Sequence, residues 1–401
     1  MVGIITEWLN LLIRWFHVVV GIGWIGTSFF FMWLDAHLIA KKDAKPGSVG
    51  EIWLFHSGGF YEVEKKLVVP SEVLPSLHWF KWEAYLTWIS GMLLLAVVYY
   101  LGGGVFLTDP SVAAISAPVG IAISLATLAL GWLVYDLLWR SPLGRNTPLA
   151  TAVSLLLLAG VAFGLSRVFS GRAAYMHVGA LLGTLMAANV WRVIQPAQRQ
   201  MYRVNLSGGA PDVALSTWAK QRSTHNNYMT LPVIFVMVSN HFPGTYGNPY
   251  NWLILLVLFA ASAGVRHYLN VYDRYGRASG WVLAGSAMAL VGLIAVTALP
   301  SYQRAAAAMA PGAHRVSFAE VRPILVERCV SCHSARPTDD AVTEAPNGVT
   351  FDTPAQIKGF VEKIHARVID TDTMPLGNKT GMTQEERATL GQWIAQGAAV
   401  E

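Results

Sequence analysis

Seven stretches of this chain, near residues 8–34, 84–101, 112–139, 148–166, 173–194, 251–269 and 280–300, are apolar for long enough to cross a lipid bilayer. A hydrocarbon layer of about 30 Å takes roughly 20 helical residues, and only helices or a closed barrel satisfy the backbone inside it. Composition agrees. Of the 401 residues 54% are hydrophobic and 13% charged, against about 25% charged in a soluble domain. The first apolar segment is too long for the core of a cleaved signal and is expected to remain as a span. An eighth span is expected near 224–242, although its continuous apolar core, Tyr228 to Ser239, is too short by itself. It crosses only if His225, Asn226, Asn227, Asn240 and His241 enter the membrane depth with it, and Pro232 is expected to break it. A short, broken, polar-tipped span is the usual pointer to a binding site within a membrane.

Charge divides the chain. Residues 1–313 hold 20 Lys+Arg against 12 Asp+Glu, and residues 314–401 hold nine against 12. The expectation is a basic membrane body (1–300), a linker (301–316) and a small acidic soluble domain (317–401). The only two cysteines lie in the run Cys329-Val330-Ser331-Cys332-His333. This is C-x-x-C-H, the pattern that attaches a c-type haem through two thioethers, with the histidine as axial ligand. Met374, followed by Pro375, is the first candidate for the sixth ligand and Met382 the second; a thioether there raises the reduction potential. The alternative, a zinc site, lacks ligands, since only His365 is nearby. A helix over Phe318–Arg328 leads into Cys329. Another over Thr383–Ala398 has Thr383 as N-cap and Trp393 on its apolar face. Helix, C-x-x-C-H, Met-Pro loop and final helix follow in the order of a class I cytochrome c. The fold class expected is therefore all-α: a polytopic bundle of about eight spans carrying a C-terminal class I cytochrome c domain.

Haem c is attached on the periplasmic side, so with about eight spans both termini are expected there. The excess of Lys and Arg on cytoplasmic loops tests this independently. The loops then assigned to the cytoplasm contain Lys41, Lys42, Lys45, Lys65, Lys66 and Lys81, Arg140 and Arg145, Arg199, Arg203, Lys220 and Arg222, and Arg274 and Arg277; the opposite loops contain only Arg167 and Arg172. The two arguments agree on a multi-pass protein of a bacterial inner membrane. A 4+4 internal repeat is also suggested, because His17 and His177 each follow an arginine and each precede a glycine by six residues.

Ionisable residues inside spans are functional candidates by default. His17 and His177 fall at similar depth, with His241 near the same level, and are candidate ligands of a b-type haem. A helix-packing role is the plainer alternative. The case for the haem is electronic, since one surface haem cannot collect electrons from the far face of the membrane. On the cytoplasmic side the aromatic loop 51–83 carries His56, Glu62, Lys65, His78, Lys81 and Glu83, and is expected to face Gln221, Thr224, His225, Asn226 and Asn227. Such residues can hydrogen-bond the edges of a planar heterocycle, stack on its face and relay protons. An interfacial aromatic belt explains the Trp and Lys positions but not the run His225-Asn226-Asn227. Asp35, His37, Asp136 and His267 read as interface anchors. Two other readings are an electron-transfer subunit with a separate catalytic chain and a transporter tethered to a cytochrome. The substrate-like polar set argues against the first.

The segments RWFHVVVGIGWIGTSFFF (14–31), HSGGFYEVEKKLVVP (56–70), LHWFKWEAYLTWISG (77–91) and STHNNYMTLPVIFVMVSNHFP (223–243), with the C-terminal VERCVSCHS and TMPLGNKTGMT, resemble the bacterial integral-membrane urate oxidases with a fused cytochrome c. The resemblance covers essentially the whole chain. It implies that urate and water give 5-hydroxyisourate, with electrons leaving through haem c to the respiratory chain rather than directly to oxygen. The stretch around His17 also looks like membrane protoporphyrinogen oxidases, in which a first-helix histidine is associated with haem b. On this reading His225 or Glu83 is the base, Asn226 and Asn227 orient the ring, and Lys65 or Lys81 offsets its charge, with His78 nearby. The acidic cytochrome domain implies a basic soluble cytochrome c or a terminal oxidase as next partner. The bilayer is the other partner, and no nucleic acid is expected.

Overall fold

The structure is a computed structural model describing residues 2–40, 47–67, 77–101, 104–209, 212–340 and 342–400. The chain begins with a single helix, α1 (Val2–His37), about 54 Å long at 1.5 Å per residue. An antiparallel hairpin follows, β1 (Ser48–His56) and β2 (Gly59–Lys66). Its turn residues Ser57 and Gly58 both have positive φ, 52° and 77°, as a two-residue turn matched to strand twist requires. The sequence reading took this stretch as loop. Lys41, Lys42 and Lys45, and the stretch 68–76 of the expected substrate loop, lie outside the described residues.

Helices α2 (Trp82–Leu95), α3 (Ala117–Arg140), α4 (Thr147–Ser166) and α5 (Gly171–Asn189) then cross back and forth. A helical continuation of α5 leads through a π turn into α6 (Gln195–Leu206). The remainder of the body is α7 (Val213–Ser239), the short α8 (Pro243–Tyr246), α9 (Asn251–Tyr275) and α10 (Gly280–Ala308). Their starts follow the sequence: Asn146 and Ser170 cap α4 and α5 by accepting backbone N–H bonds, and Asp212 does the same for α7. Among the described residues seven helices are long and apolar enough to cross a membrane, and they coincide with the seven apolar segments.

Helix α7 is not one of the seven, yet it is 27 residues long and sits between α5 and α9. Contrary to expectation, Pro232 lies inside it without breaking it. Helices on both sides hold it in place, and the hydroxyl of Thr230 donates to the Asn227 carbonyl at 2.6 Å one turn before the proline. The carbonyl that Pro232 leaves without its helical donor is that of Tyr228, and packing by neighbouring helices lets a helix carry such a proline. The central element is α5, most of whose side chains are buried. A Cβ on Gly179 would lie 2.5 Å from Val236 of α7, and one on Gly131 of α3 would lie 2.5 Å from Leu181 of α5. Small residues here set the interhelical distance. The two proposed halves do not pack alike: α9 and α10 run together, whereas α3 and α4 barely touch and leave a groove between them.

In the C-terminal part, α11 (Phe318–Arg328), α12 (Pro354–Gly359), α13 (Val361–Ile364) and α14 (Gln384–Ala395) surround a core that includes Leu325, Leu390 and Trp393. Capping boxes start α11 (Ser317 and Glu320) and α14 (Thr383 and Glu386). The expected linker is half helix. The run Ala305–Ala308 extends α10, as alanine favours, and Arg304 of that extension donates to the Ile369 carbonyl at 2.9 Å.

Candidate functional site

The C-x-x-C-H run caps the end of α11. Cys329 is buried, and burial pushes its thiol up to about 12; burial also raises the thiol of Cys332. The backbone N–H of His333 bonds the Cys329 carbonyl at 2.9 Å, closing the turn. Nδ1 of His333 lies 3.0 Å from the Val349 carbonyl. A carbonyl only accepts, so Nδ1 carries the proton and Nε2 keeps a free lone pair, the arrangement of an iron-ligating imidazole. Met374 packs against the core that contains Cys329, and Met382 lies within it. The Met374 backbone is pinned at both ends, its N–H to Arg367 at 3.0 Å and its carbonyl by Arg387 at 2.8 Å. These residues fit a covalent haem. Among the described residues no group of three or more His, Cys, Asp or Glu is gathered as a metal-binding set.

His177 is fully buried on α5. Nδ1 donates to the Ala173 carbonyl at 2.7 Å, and Nε2 has no hydrogen-bond partner. An imidazole nitrogen buried without a partner is costly unless something binds it, so His177 fits an axial role. Phe169 and Tyr99 pack on its ring. His17, on α1, faces α2: Nδ1 lies 2.9 Å from the Ser90 hydroxyl. Gly91 makes room for its ring, since a Cβ there would be 3.1 Å from Cε1. His241 lies exposed beyond the end of α7.

A third polar cluster sits near the Arg140 end of α3. Nδ1 of His225 lies 2.7 Å from the Tyr135 hydroxyl, and the imidazole packs on Trp139 with centroids 4.2 Å apart. Asn189, at the end of α5, donates to the Tyr135 oxygen at 3.1 Å and to Asn226 at 2.9 Å. Asn226 in turn donates to the Met186 carbonyl. Asn227 points the other way: its oxygen accepts from Arg266 at 3.0 Å and from Asn270 at 2.8 Å, while its Nδ2 is buried without a partner. Adjacent helical residues cannot share a face, so the run His225-Asn226-Asn227 serves three neighbours. Tyr135, Trp139, Gln221, Thr224 and His225 form the polar end of the groove between α3 and α4, about 980 Å³ in volume. A cavity of about 210 Å³ lies on the α9 side of α7, and Thr224, Tyr228 and His267 line both.

The other expected residues lie apart from this cluster. Lys65 bonds Asp35 at 2.5 Å, and Lys220 approaches the same carboxylate at 3.6 Å, so Asp35 ties the hairpin to the start of α7. Lys81 lies over the rings of Trp79 and Trp82. His78 is exposed against Phe80. Glu83, in the first turn of α2, packs near Gly23 of α1 and has a buried oxygen without a partner. Reasoning from sequence missed Tyr135 and Asn189. It also read Arg222 as a loop cation and Asp136 as an interface anchor. Both are buried, 3.1 Å apart.

No curated protein and no solved structure matches the chain. The family described as urate oxidase N-terminal matches residues 3–298, the whole body from α1 to nearly the end of α10, and the chain belongs to that family.

Proposed function

We propose that the protein is a membrane-bound urate oxidase that passes its electrons to a haem c in its own C-terminal domain. One observation carries this reading: a body of the urate oxidase family is followed, in the same chain, by a C-x-x-C-H domain whose His333 nitrogen is free for iron. Urate and water would give 5-hydroxyisourate, two protons and two electrons. Cys329, Cys332, His333 and Met374 would hold the haem, which when bound accepts one electron at a time. His177, with its orphaned Nε2, and His17 would hold a b-type haem between the reaction site and the C-terminal domain.

The reaction site proposed is the polar end of the groove beside His225. Its Nδ1 is committed to Tyr135, so Nε2 is the nitrogen left to take a proton from urate or from the attacking water. Asn226 is fully engaged inside the protein and acts by fixing Asn189. The C-terminal domain and the N-terminus would lie in the periplasm and the His225 cluster near the cytoplasmic edge, as the cationic loops favour. The domain would then deliver electrons to a soluble cytochrome c or a terminal oxidase.

The test is an anaerobic optical spectrum of the purified protein before and after urate. Urate alone should reduce a c-type α band, and a second α band should report the b-type haem. A haem that dithionite reduces and urate leaves oxidised would refute the assignment.

A further inference from the structure

We infer that Arg222 supplies the counter-charge for an anionic substrate bound at the polar end of the groove, beside His225. The inference rests on the reading that this substrate is urate, a flat monoanion at neutral pH.

Arg222 belongs to no loop. It is 0% exposed, in the N-terminal half of α7, one turn before His225. Its Nη2 reaches Asp136 Oδ1 at 3.1 Å, while Nε and Nη1, both buried, have no hydrogen-bond partner. A buried guanidinium normally has its donors filled, because each unfilled one forfeits hydration without return. The two open donors lie behind the Tyr135 ring, and it is this ring, not Arg222 itself, that lines the groove.

The charge count gives the sign of that acceptor. Asp136 is shared, since its Oδ2 accepts from Arg140 Nε at 2.6 Å. Two guanidinium groups thus face one carboxylate, with the Trp218 ring against both, and the cluster keeps a net positive charge. The Arg222 guanidinium lies 4.8 Å from the centre of the Tyr135 ring, whose hydroxyl meets His225. An anion next to His225 therefore meets the net positive charge of this cluster across the Tyr135 ring, in surroundings where charges are weakly screened. Neither lysine expected to offset the substrate charge is placed to do so: Lys65 is held by Asp35 and Lys81 lies over two tryptophans.

The experiment is equilibrium dialysis of urate against the full-length protein in detergent, kept reduced with dithionite so that no turnover occurs. Arg222→Gln should weaken urate binding by at least about thirtyfold. Asp136→Asn removes the competing carboxylate and should leave binding as tight or tighter. A purely structural ion pair predicts that the two variants weaken binding equally, and that result would overturn the inference, as would an Arg222→Gln protein that binds urate normally. Should Arg222→Gln not fold, the wild-type protein still decides: hypoxanthine, a neutral oxopurine, should compete far less well than urate, and equal competition is the opposing result. A wild-type protein that binds no urate refutes the substrate reading itself, an outcome distinct from the others.

Discussion

Arg367, in the π-helical turn that follows α13 and seven residues before Met374, donates through Nη1 to the hydroxyl of Tyr246 at 3.2 Å. Tyr246 belongs to the body of long apolar helices and Arg367 to the C-terminal part, so this bond crosses the junction between them. Beside it, Thr371 sits so close to Gly247 that a Cβ there would come within 2.4 Å of the threonine Cβ. Ser301 and Arg304 of α10 hold Asp370 and Ile369 from the other side. The Arg367 carbonyl receives the Met374 N–H, and Tyr246 packs on Tyr175, two residues before His177.

The junction thus joins the stretch that carries Met374, the proposed sixth ligand, to the neighbourhood of the proposed membrane haem. Gly247→Val should push the domains apart, and Arg367→Ala should remove the polar contact. Both should slow reduction of haem c by urate, about tenfold or more for the valine, because misplacement by an ångström is costly at such junctions. Stopped-flow absorbance at the c-type α band measures this. Full reduction by dithionite should be unchanged, and a wild-type rate in Gly247→Val would refute the coupling.

His177 gives a second prediction. Replacing it with leucine fills its volume and removes a buried nitrogen that bonds nothing, so the fold should survive. What should disappear is the b-type α band and one of two haems per chain, measured as a pyridine haemochrome. Gly91→Ala, whose Cβ would press on the His17 ring, should shift the same band while His177 remains. An unchanged haem count in His177→Leu would reduce the residue to helix packing.

His225→Ala should lower urate turnover about 10²–10⁴-fold, the usual worth of a positioned base. Tyr135→Phe, which removes only the hydroxyl bonded to Nδ1, should cost less than the alanine and alter the pH profile of kcat. Glu83→Gln should change turnover little, since Glu83 lies at the α1–α2 contact. Equal losses in His225→Ala and Glu83→Gln would instead restore Glu83 as the base.

The seven long apolar helices were legible because burial in lipid would demand continuous apolar runs, and the cap of α14 because Thr383 stands three residues before Glu386. Helix α7 was half legible. Its polar tip marked a site, but its unbroken passage through Pro232 depends on packing by α5 and α9, which one sequence does not record. The hairpin left a signal, His56-Ser57-Gly58-Gly59 between alternating residues, that the aromatic content of the stretch obscured. Arg222 and Asp136 were illegible for a different reason. Charges at span ends are usually solvated, and only a tertiary pairing 86 residues apart in sequence turns these two into a buried cluster.

The last prediction concerns acid. Glu320 accepts from His314 Nε2 at 2.9 Å and from the backbone N–H and hydroxyl of Ser317 at 2.8 and 2.7 Å. These bonds pull its carboxyl from an ordinary 4.5 down to about 2. A depressed folded-state value means that the cap's contribution is complete above pH 4.5 and is lost as pH falls toward 2. The group is exposed and its contribution small, so the effect should be local. Amide hydrogen exchange in the first turn of α11 should lose protection between pH 4.5 and pH 2 relative to the Leu325 turn of the same helix, after correction for the intrinsic rate. Glu320→Gln stays neutral throughout and should show no such loss. Because α11 delivers Cys329 and His333 at its other end, fraying that reached them would also move the c-type α band. An α band that stays fixed while the first turn opens is the expected result, since Leu325 and Val321 anchor the middle of the helix in the core.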